Sequence, residues 1–276
     1  MPPLRVITGW PRAVNRALRR ATGYHLVKAR PVPVRPPEPK PEPRKRLQVG
    51  RIKRYHDDEA RATMHAVRDW TMTSHWQIFA LIVAARYVVD SGVPGDIVEC
   101  GVWRGGSVQA VARTLLGRGA TDRDLHLFDT FAGMPPPTDV DRRVAGRPAS
   151  EMLARRPRTA NLWGIADLDD VRAGMSATGY PVERVHFHVG LVEDTLPAEA
   201  PEMIALLRLD TDWYASTRHE LEHLYDRVAP GGVIVIDDYD YWEGSRKAVD
   251  EFVAERRLRL LLVPIESTRV TVKSEA

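Results

Sequence analysis

GDIVECGVWRGGS, residues 95–107, is the stretch whose reading decides the fold. Asp96 to Cys100 is a short apolar run of strand length, and Gly101, Gly105, Gly106 and Ser107 mark a tight turn into a helix. Glycines let a backbone approach a ligand closely, and a helix N-terminus offers unsatisfied N–H groups to a carboxylate or phosphate. The turn is not the dinucleotide pattern G-x-G-x-x-G, because Trp103 holds the middle glycine position. An indole there crowds a pyrophosphate but can wall a smaller cofactor tail.

Upstream, Ser74 and Gln77 form a capping box. Ile78, Leu81, Ile82, Ala85, Val88 and Val89 then repeat at helical spacing until Gly92 and Pro94 end the helix. Downstream, apolar runs at 125–129, 185–189, 204–210 and 233–237 alternate with helical patterns, which predicts parallel strands joined by crossover helices. Two last runs, 258–263 and 269–273, are too close together for a crossover and predict an antiparallel hairpin. The expected fold is α/β: a doubly wound, Rossmann-like, seven-stranded and mostly parallel sheet whose last strand is antiparallel. The stretch after Asp129, about 132–180, is rich in Pro and Arg and is expected to be a long irregular lid. Its arginines, Arg142 to Arg158, are either a solvated face or a contact for an anionic acceptor.

Composition bounds the rest. A chain of 276 residues with 43% hydrophobic content can bury one large core. The one cysteine, Cys100, excludes an internal disulfide framework and reads as packing, not as a nucleophile. No apolar run approaches the roughly 18 residues that span a bilayer, and no secretory signal opens the chain, so the expected setting is cytoplasmic. Residues 1–54 hold 15 Lys or Arg against Glu38 and Glu42, a net of +13 in a chain that totals +3. Seven of the thirteen residues from Pro31 to Pro43 are proline, which predicts a stiff linker ending near residue 48, with the folded domain over 49–276. Before the linker, Val14, Ala17, Leu18 and Ala21 oppose Arg12, Arg16, Arg19 and Arg20 on a basic amphipathic helix. That arm reads as a contact for an anionic membrane, an acidic partner or a nucleic acid, or as simply solvated; of these a peripheral membrane contact is retained and no nucleic-acid partner is expected.

In doubly wound sheets ligands bind at the carboxyl ends of the strands. Here four of the five parallel strands end at or beside an acid: Glu99, Asp129, Asp210 and Asp237. Asp129, one βα unit after the glycine turn, stands where an acid commonly grips both hydroxyls of a ribose, which indicates an adenosine-type cofactor. Asp210, Asp212, Asp237 and Asp238 crowd neighbouring strand ends. Without Cys or loop His among them they make a hard oxygen site suited to magnesium.

A competing site is spelled by HELEH, residues 219–223, the short zinc-peptidase signature. Leu221, Leu224, Tyr225 and Val228 define the buried stripe of its helix, which turns His219 and His223 away from the core. No downstream ligand extends the signature, so it reads as an accident of a solvent-facing helix. His186 and His188, two apart, read as residues of one strand face.

ECGVWRGGS, LFDTFAGMP, LLRLDTDWYAST and IDDYDYW, in that order, together with WTMTS at 70–74, VEDTLP and HELEHLY, resemble the macrocin O-methyltransferase family over about residues 68–255. The resemblance implies a class I methyltransferase fold and a bacterial, S-adenosylmethionine- and Mg2+-dependent methylation of a sugar hydroxyl in an antibiotic pathway. It implies cofactor contacts at Thr71, Met72, Glu99, Gly101, Ser107 and Asp129, beside the Gly105 turn. It implies magnesium on Asp210, Asp237 and Asp238, and Asp212 as general base. The acceptor is then a small glycoside or a glycolipid, and the enzyme is expected to be a homo-oligomer. Methylation of a catechol, hydrolysis with the same carboxylates, and a non-catalytic cofactor-binding module are the other readings of these residues.

Overall fold

The computed structural model describes residues 56–144 and 146–274, together with Arg16, Arg20 and Ala21, which are helical. Otherwise the basic arm and the proline-rich segment, with the expected domain start near 49, lie outside the described residues. Residues 41–276 form a compact unit separate from 1–40, and all that follows concerns it.

The chain enters through α1 (Asp58–Val67) and α2 (His75–Asp90). The capping box at the start of α2 is as the spacing predicts: Gln77 N donates to Ser74 Oγ at 3.3 Å, and Ser74 N to Gln77 Oε1 at 2.9 Å. Next come β1 (Asp96–Cys100), α3 (Gly106–Gly117), β2 (Leu125–Asp129), α4 (Ala149–Ala154), α5 (Leu168–Ser176) and β3 (Val185–Val189). The remainder runs α6 (Val192–Thr195), β4 (Ile204–Leu209), α7 (Tyr214–Leu224), β5 (Val228–Ile236), α8 (Glu243–Glu255), β6 (Val263–Ile265) and β7 (Thr268–Val272). The seven strands form one sheet in the order β3-β2-β1-β4-β5-β7-β6, in which β7 alone runs antiparallel to its neighbours. The order reverses between β1 and β4, which places a ligand crevice outside their carboxyl ends.

Period-two alternation assigns each strand residue to one of two cores. Ile97, Leu206, Val233 and Val235 pack under α1, α2, α3 and α5. Val98, Cys100, Leu207, Leu209, Ile234 and Ile236 pack under α6, α7 and α8. By the same parity Glu99, Arg208 and Asp237 all point to the α2–α3 face.

Three expectations change. Of the run 258–263 only Val263 lies in a strand: Leu258, Leu260 and Leu262 pack partly against the second core while Leu261 is exposed, so the alternation over 258–262 reports a half-covered segment outside the sheet. The hairpin is shorter, formed by β6 and β7. The stretch after Asp129 is not irregular either. It contains α4 and the crossover helix α5, and it is fastened by the buried carboxylate of Asp141, which accepts from Tyr214 N at 2.8 Å and Thr138 N at 2.7 Å. A lone Asp inside a Pro- and Arg-rich stretch gives no periodicity to read.

The helix α7 buries Leu221 and Leu224 as expected, and its histidines are half-buried, with their rings 4.3 Å apart and His219 Nε2 donating to the Leu196 carbonyl at 3.3 Å. The glutamate between them, Glu220, points the other way and is fully buried; Oε1 accepts from Thr211 Oγ1 at 2.8 Å and Oε2 has no hydrogen-bond partner among the described residues. Histidines and glutamate therefore cannot share an ion. Burial, reinforced by the charge of Glu193, pushes the Glu220 carboxyl well above the ordinary range. A folded-state value above the unfolded one gives stability that is full below the unfolded pKa of about 4.3 and lost as pH rises. Glu220→Gln removes that dependence. The melting temperature of the variant minus that of the parent is expected to rise steadily from pH 5 to pH 9, and a constant difference contradicts it.

Candidate active site

The crevice at the switch point is a cleft of about 300 Å3, within the size range of small-molecule sites. Its floor is drawn tight by backbone bonds between strand ends: Gly101 N to Phe128 O at 2.8 Å, Asp210 N to Cys100 O at 2.8 Å and Asp237 N to Leu209 O at 2.9 Å. Gly101 has to be glycine. Its φ is +83°, and a Cβ there would stand 2.0 Å from the Asp210 carbonyl oxygen. Gly106 packs as closely on Trp70 and Thr71, so the WTMTS segment lies directly against the turn.

Met72, Gly101, Trp103 and Asp129 line the cleft. Asp129 accepts from the backbone N–H groups of Val102, Trp103 and Phe131 at 2.7–2.8 Å, and burial raises its carboxyl despite those bonds. Trp103 takes φ +48°, the left-handed conformation that a glycine at this position would supply. Thr71, Glu99, Gly105 and Ser107, expected as cofactor contacts, do not line the cleft. Thr71, Glu99 and Ser107 are buried, Thr71 Oγ1 accepting from Thr73 N at 2.9 Å and Ser107 Oγ lying 3.4 Å from Thr73 Oγ1. Gly105, with φ +78°, caps α3 without a side-chain bond.

The acids line the same cleft. Asp210, Asp212 and Asp238 bring ligand atoms within 4.8 Å of one another. Burial, then mutual repulsion, pushes Asp210 and Asp238 well above the carboxylate range, and burial pushes Asp212 up to about 7. Asp212 also carries a left-handed φ of +69°, strain of the kind that functional sites hold. Three half-buried acids at this spacing cannot all ionise unaided, and a hard divalent cation relieves them, so the donor set fits Mg2+.

Asp237 was expected beside them. It lines the cleft, but its carboxylate is already bonded to Gln77 Nε2 at 2.9 Å, to the Thr268 hydroxyl and to Arg208. The structure thus groups Asp212, not Asp237, with Asp210 and Asp238. Gln77 and Thr268 hold Asp237 apart, while the third donor, Arg208, is a residue not singled out from the sequence. Sitting on β4 in register with Glu99 on β1, it bonds Glu99 Oε1 at 2.6 Å, Asp210 Oδ2 at 2.7 Å and Asp237. Burial alone would lower its pKa, but the carboxylates hold it above the usual value. An arginine inside an apolar strand was the available signal, since buried arginines are paired. Glu99 Oε2 is left buried with no hydrogen-bond partner among the described residues, and burial raises this carboxyl to about 7 against the pull of Arg208.

The roof comes from the segment after Asp129 and from the end of β5. Met134, Leu162, Tyr241 and Trp242 line the cleft. Trp242 packs edge-on to Trp213, whose Nε1 donates to the Pro135 carbonyl at 3.0 Å, and Arg143 lies 3.8 Å over the Tyr241 ring. Cys100 is fully buried, and burial raises its thiol well above the ordinary value, so it is packing, not a nucleophile. No helix among the described residues is long and apolar enough to cross a membrane.

A doubly wound sheet of this strand order, with a glycine turn after β1 and acids closing β2, β4 and β5, is the fold of class I O-methyltransferases. The solved structure of the O-methyltransferase NovP superposes with a TM-score of 0.66 at 28% identity, over 75% of this chain and 84% of that one. The macrocin-O-methyltransferase (TylF) family profile matches residues 41–273, and the chain belongs to that family. It is 35% identical over 194 residues, 67% of this chain and 70% of the relative, to the 8-demethyl-8-(2,3-dimethoxy-alpha-L-rhamnosyl)-tetracenomycin-C 4'-O-methyltransferase of Streptomyces olivaceus. It is 31% identical over 204 residues, 72% of this chain and 75% of the relative, to the demethyldecarbamoylnovobiocin O-methyltransferase of Streptomyces niveus. The chain is therefore an O-methyltransferase.

Proposed function

We propose that the chain methylates a sugar hydroxyl of a glycosylated natural product or glycolipid, with S-adenosylmethionine as donor and Mg2+ at the carboxylate cluster. The observation that carries this is the convergence of Asp210, Asp212 and Asp238 in the one cleft that the glycine turn and Asp129 also line. The relative from Streptomyces olivaceus is named for methylation of a rhamnosyl tetracenomycin, which supports the glycoside reading. When bound, the two cofactors supply an electrophilic methyl group and a Lewis acid that lowers the pKa of an alcohol.

The residues divide the remaining work. Asp129 accepts from the ribose hydroxyls, while Gly101 and Trp103 shape the turn around the donor's tail. Thr71, Gly105 and Ser107 fix that turn from behind, and Glu99, buried beside them, is held by Arg208. Asp210 and Asp238 would hold the ion, with Asp237, whose carboxylate is shared with Arg208, Gln77 and Thr268, as a weaker third ligand. Asp212 takes the proton of the acceptor hydroxyl. Tyr241, Trp242 and Met134 cover the acceptor's ring and keep water from it. A hydroxyl held in line with the methyl needs no protein nucleophile.

The test is product identification by mass spectrometry after incubation with S-adenosylmethionine and a panel of glycosides, glycolipids and catechols. A methylated sugar is expected; methylation confined to the catechols overturns the acceptor class. Chelation by EDTA is expected to abolish transfer, and Mg2+ to restore it. Full activity in excess EDTA removes the metal from the mechanism.

A further inference from the structure

A second cluster of ligating groups lies at the opposite, amino-terminal ends of β1, β2 and β3, away from the cleft. Strand parity builds it. Asp124, His126 and Phe128 share one face of β2, and the register sets His186 beside His126 and His188 beside Phe128. Asp96, on the same face of β1, completes the row. Nδ1 or Nε2 of His126 and His186 and a carboxylate oxygen of Asp124 all lie within 4.8 Å of one another. His186 Nε2 is 3.3 Å from Asp124 Oδ1, and His126 Nε2 is 3.7 Å from Asp96 Oδ2.

We propose that this edge carries a second metal site, which takes a zinc-class divalent ion on His126, His186 and Asp124 with Asp96 beside them. Imidazole paired with carboxylate, and no thiolate, is a donor set for Zn2+, Co2+ or Ni2+ and a poor one for Mg2+.

A relay behind the first histidine points to ligation independently of the cluster itself. His126 Nδ1 lies 3.1 Å from His188 Nε2, and His188 Nδ1 is bonded to Glu199. With Glu199 accepting from His188 and His188 accepting from His126, Nε2 of His126 keeps its lone pair, 3.7 Å from Asp96 Oδ2. A ligating histidine whose other nitrogen donates to an oriented partner is the usual arrangement at zinc sites. The His186 side chain is 39% exposed, which leaves an entry path, and Arg184, 3.2 Å from Asp124 and 40% exposed, is free to turn to solvent when an ion arrives.

The full chain in saturating Mg2+, so that the carboxylate cleft is filled, is titrated with Zn2+ by calorimetry and with Co2+ by ligand-field absorption. One ion per chain is expected, with a rise in melting temperature of the unmodified protein. His126→Ala and His186→Gln are each expected to remove that binding, and His188→Ala to weaken it about 10–100-fold through the lost relay. The pair His219→Ala and His223→Ala is expected to leave it unchanged. The proposal is overturned by an unmodified protein that binds no stoichiometric Zn2+ and shows no thermal shift. Binding that persists in His186→Gln, on the solvent-accessible edge, or that disappears with His219 and His223, overturns it as well.

Discussion

Asp238→Asn is expected to abolish methyl transfer, by about 10^3-fold or more, while leaving the binding of S-adenosylmethionine intact. Losing a metal ligand removes several kcal/mol of charge stabilisation at the acceptor oxygen, and each 1.4 kcal/mol is a factor of about ten. Calorimetric titration of the cofactor separates the two effects. Asp210→Asn is expected to behave alike. Asp237→Asn is expected to weaken Mg2+ less than either, because its carboxylate is already bonded to Arg208, Gln77 and Thr268. Retained turnover in Asp238→Asn, or an equal loss of Mg2+ affinity in all three variants, contradicts the assignment.

Arg208→Met is expected to cost about 3–5 kcal/mol of stability, the penalty for leaving buried charges without their partner. The side chain is 5% exposed and bonds three carboxylates from three strands, β1, β4 and the end of β5. In a unit of this size 1 kcal/mol moves the melting temperature by roughly 2–4 °C, so a fall on the order of 10 °C is expected. The double variant with Glu99→Gln is expected to recover part of it, since the glutamine needs no cation; that recovery is read as a coupling energy. A shift of less than roughly 2 °C would mean that the carboxylates take up protons and do without the arginine. Loss of activity without loss of stability would make Arg208 a positioning residue for Asp210 alone.

These two predictions were not equally legible beforehand. Asp238 was nameable from IDDYDYW, because acids that follow an apolar strand run stand at its carboxyl end whatever the rest of the fold does. Arg208 was not. Its partners lie 109 positions upstream, at Glu99, and 29 downstream, at Asp237. Only the pairing of β1 with β4 and of β4 with β5 makes them neighbours. The HELEH motif shows the converse. Helix geometry alone separated His219 and His223 from the core, but that the buried stripe also takes in Glu220 required the packing against Thr211.

The local periods, 3.6 for helices and 2 for strands, are carried by neighbouring residues. The sequence by itself therefore determined the capped helix α2, the strand–turn–helix at Gly101, the parallel alternation and the acids at strand ends. Which strands lie side by side is a matter of register and strand order, which depend on contacts far apart in the chain. Tertiary structure alone decided that Asp212 joins Asp210 and Asp238 while Asp237 turns to Arg208. It also decided that Asp124, His126 and His186 meet at the opposite end of the sheet. Parity fixes the face a side chain shares, and only the order of strands decides whose face that is.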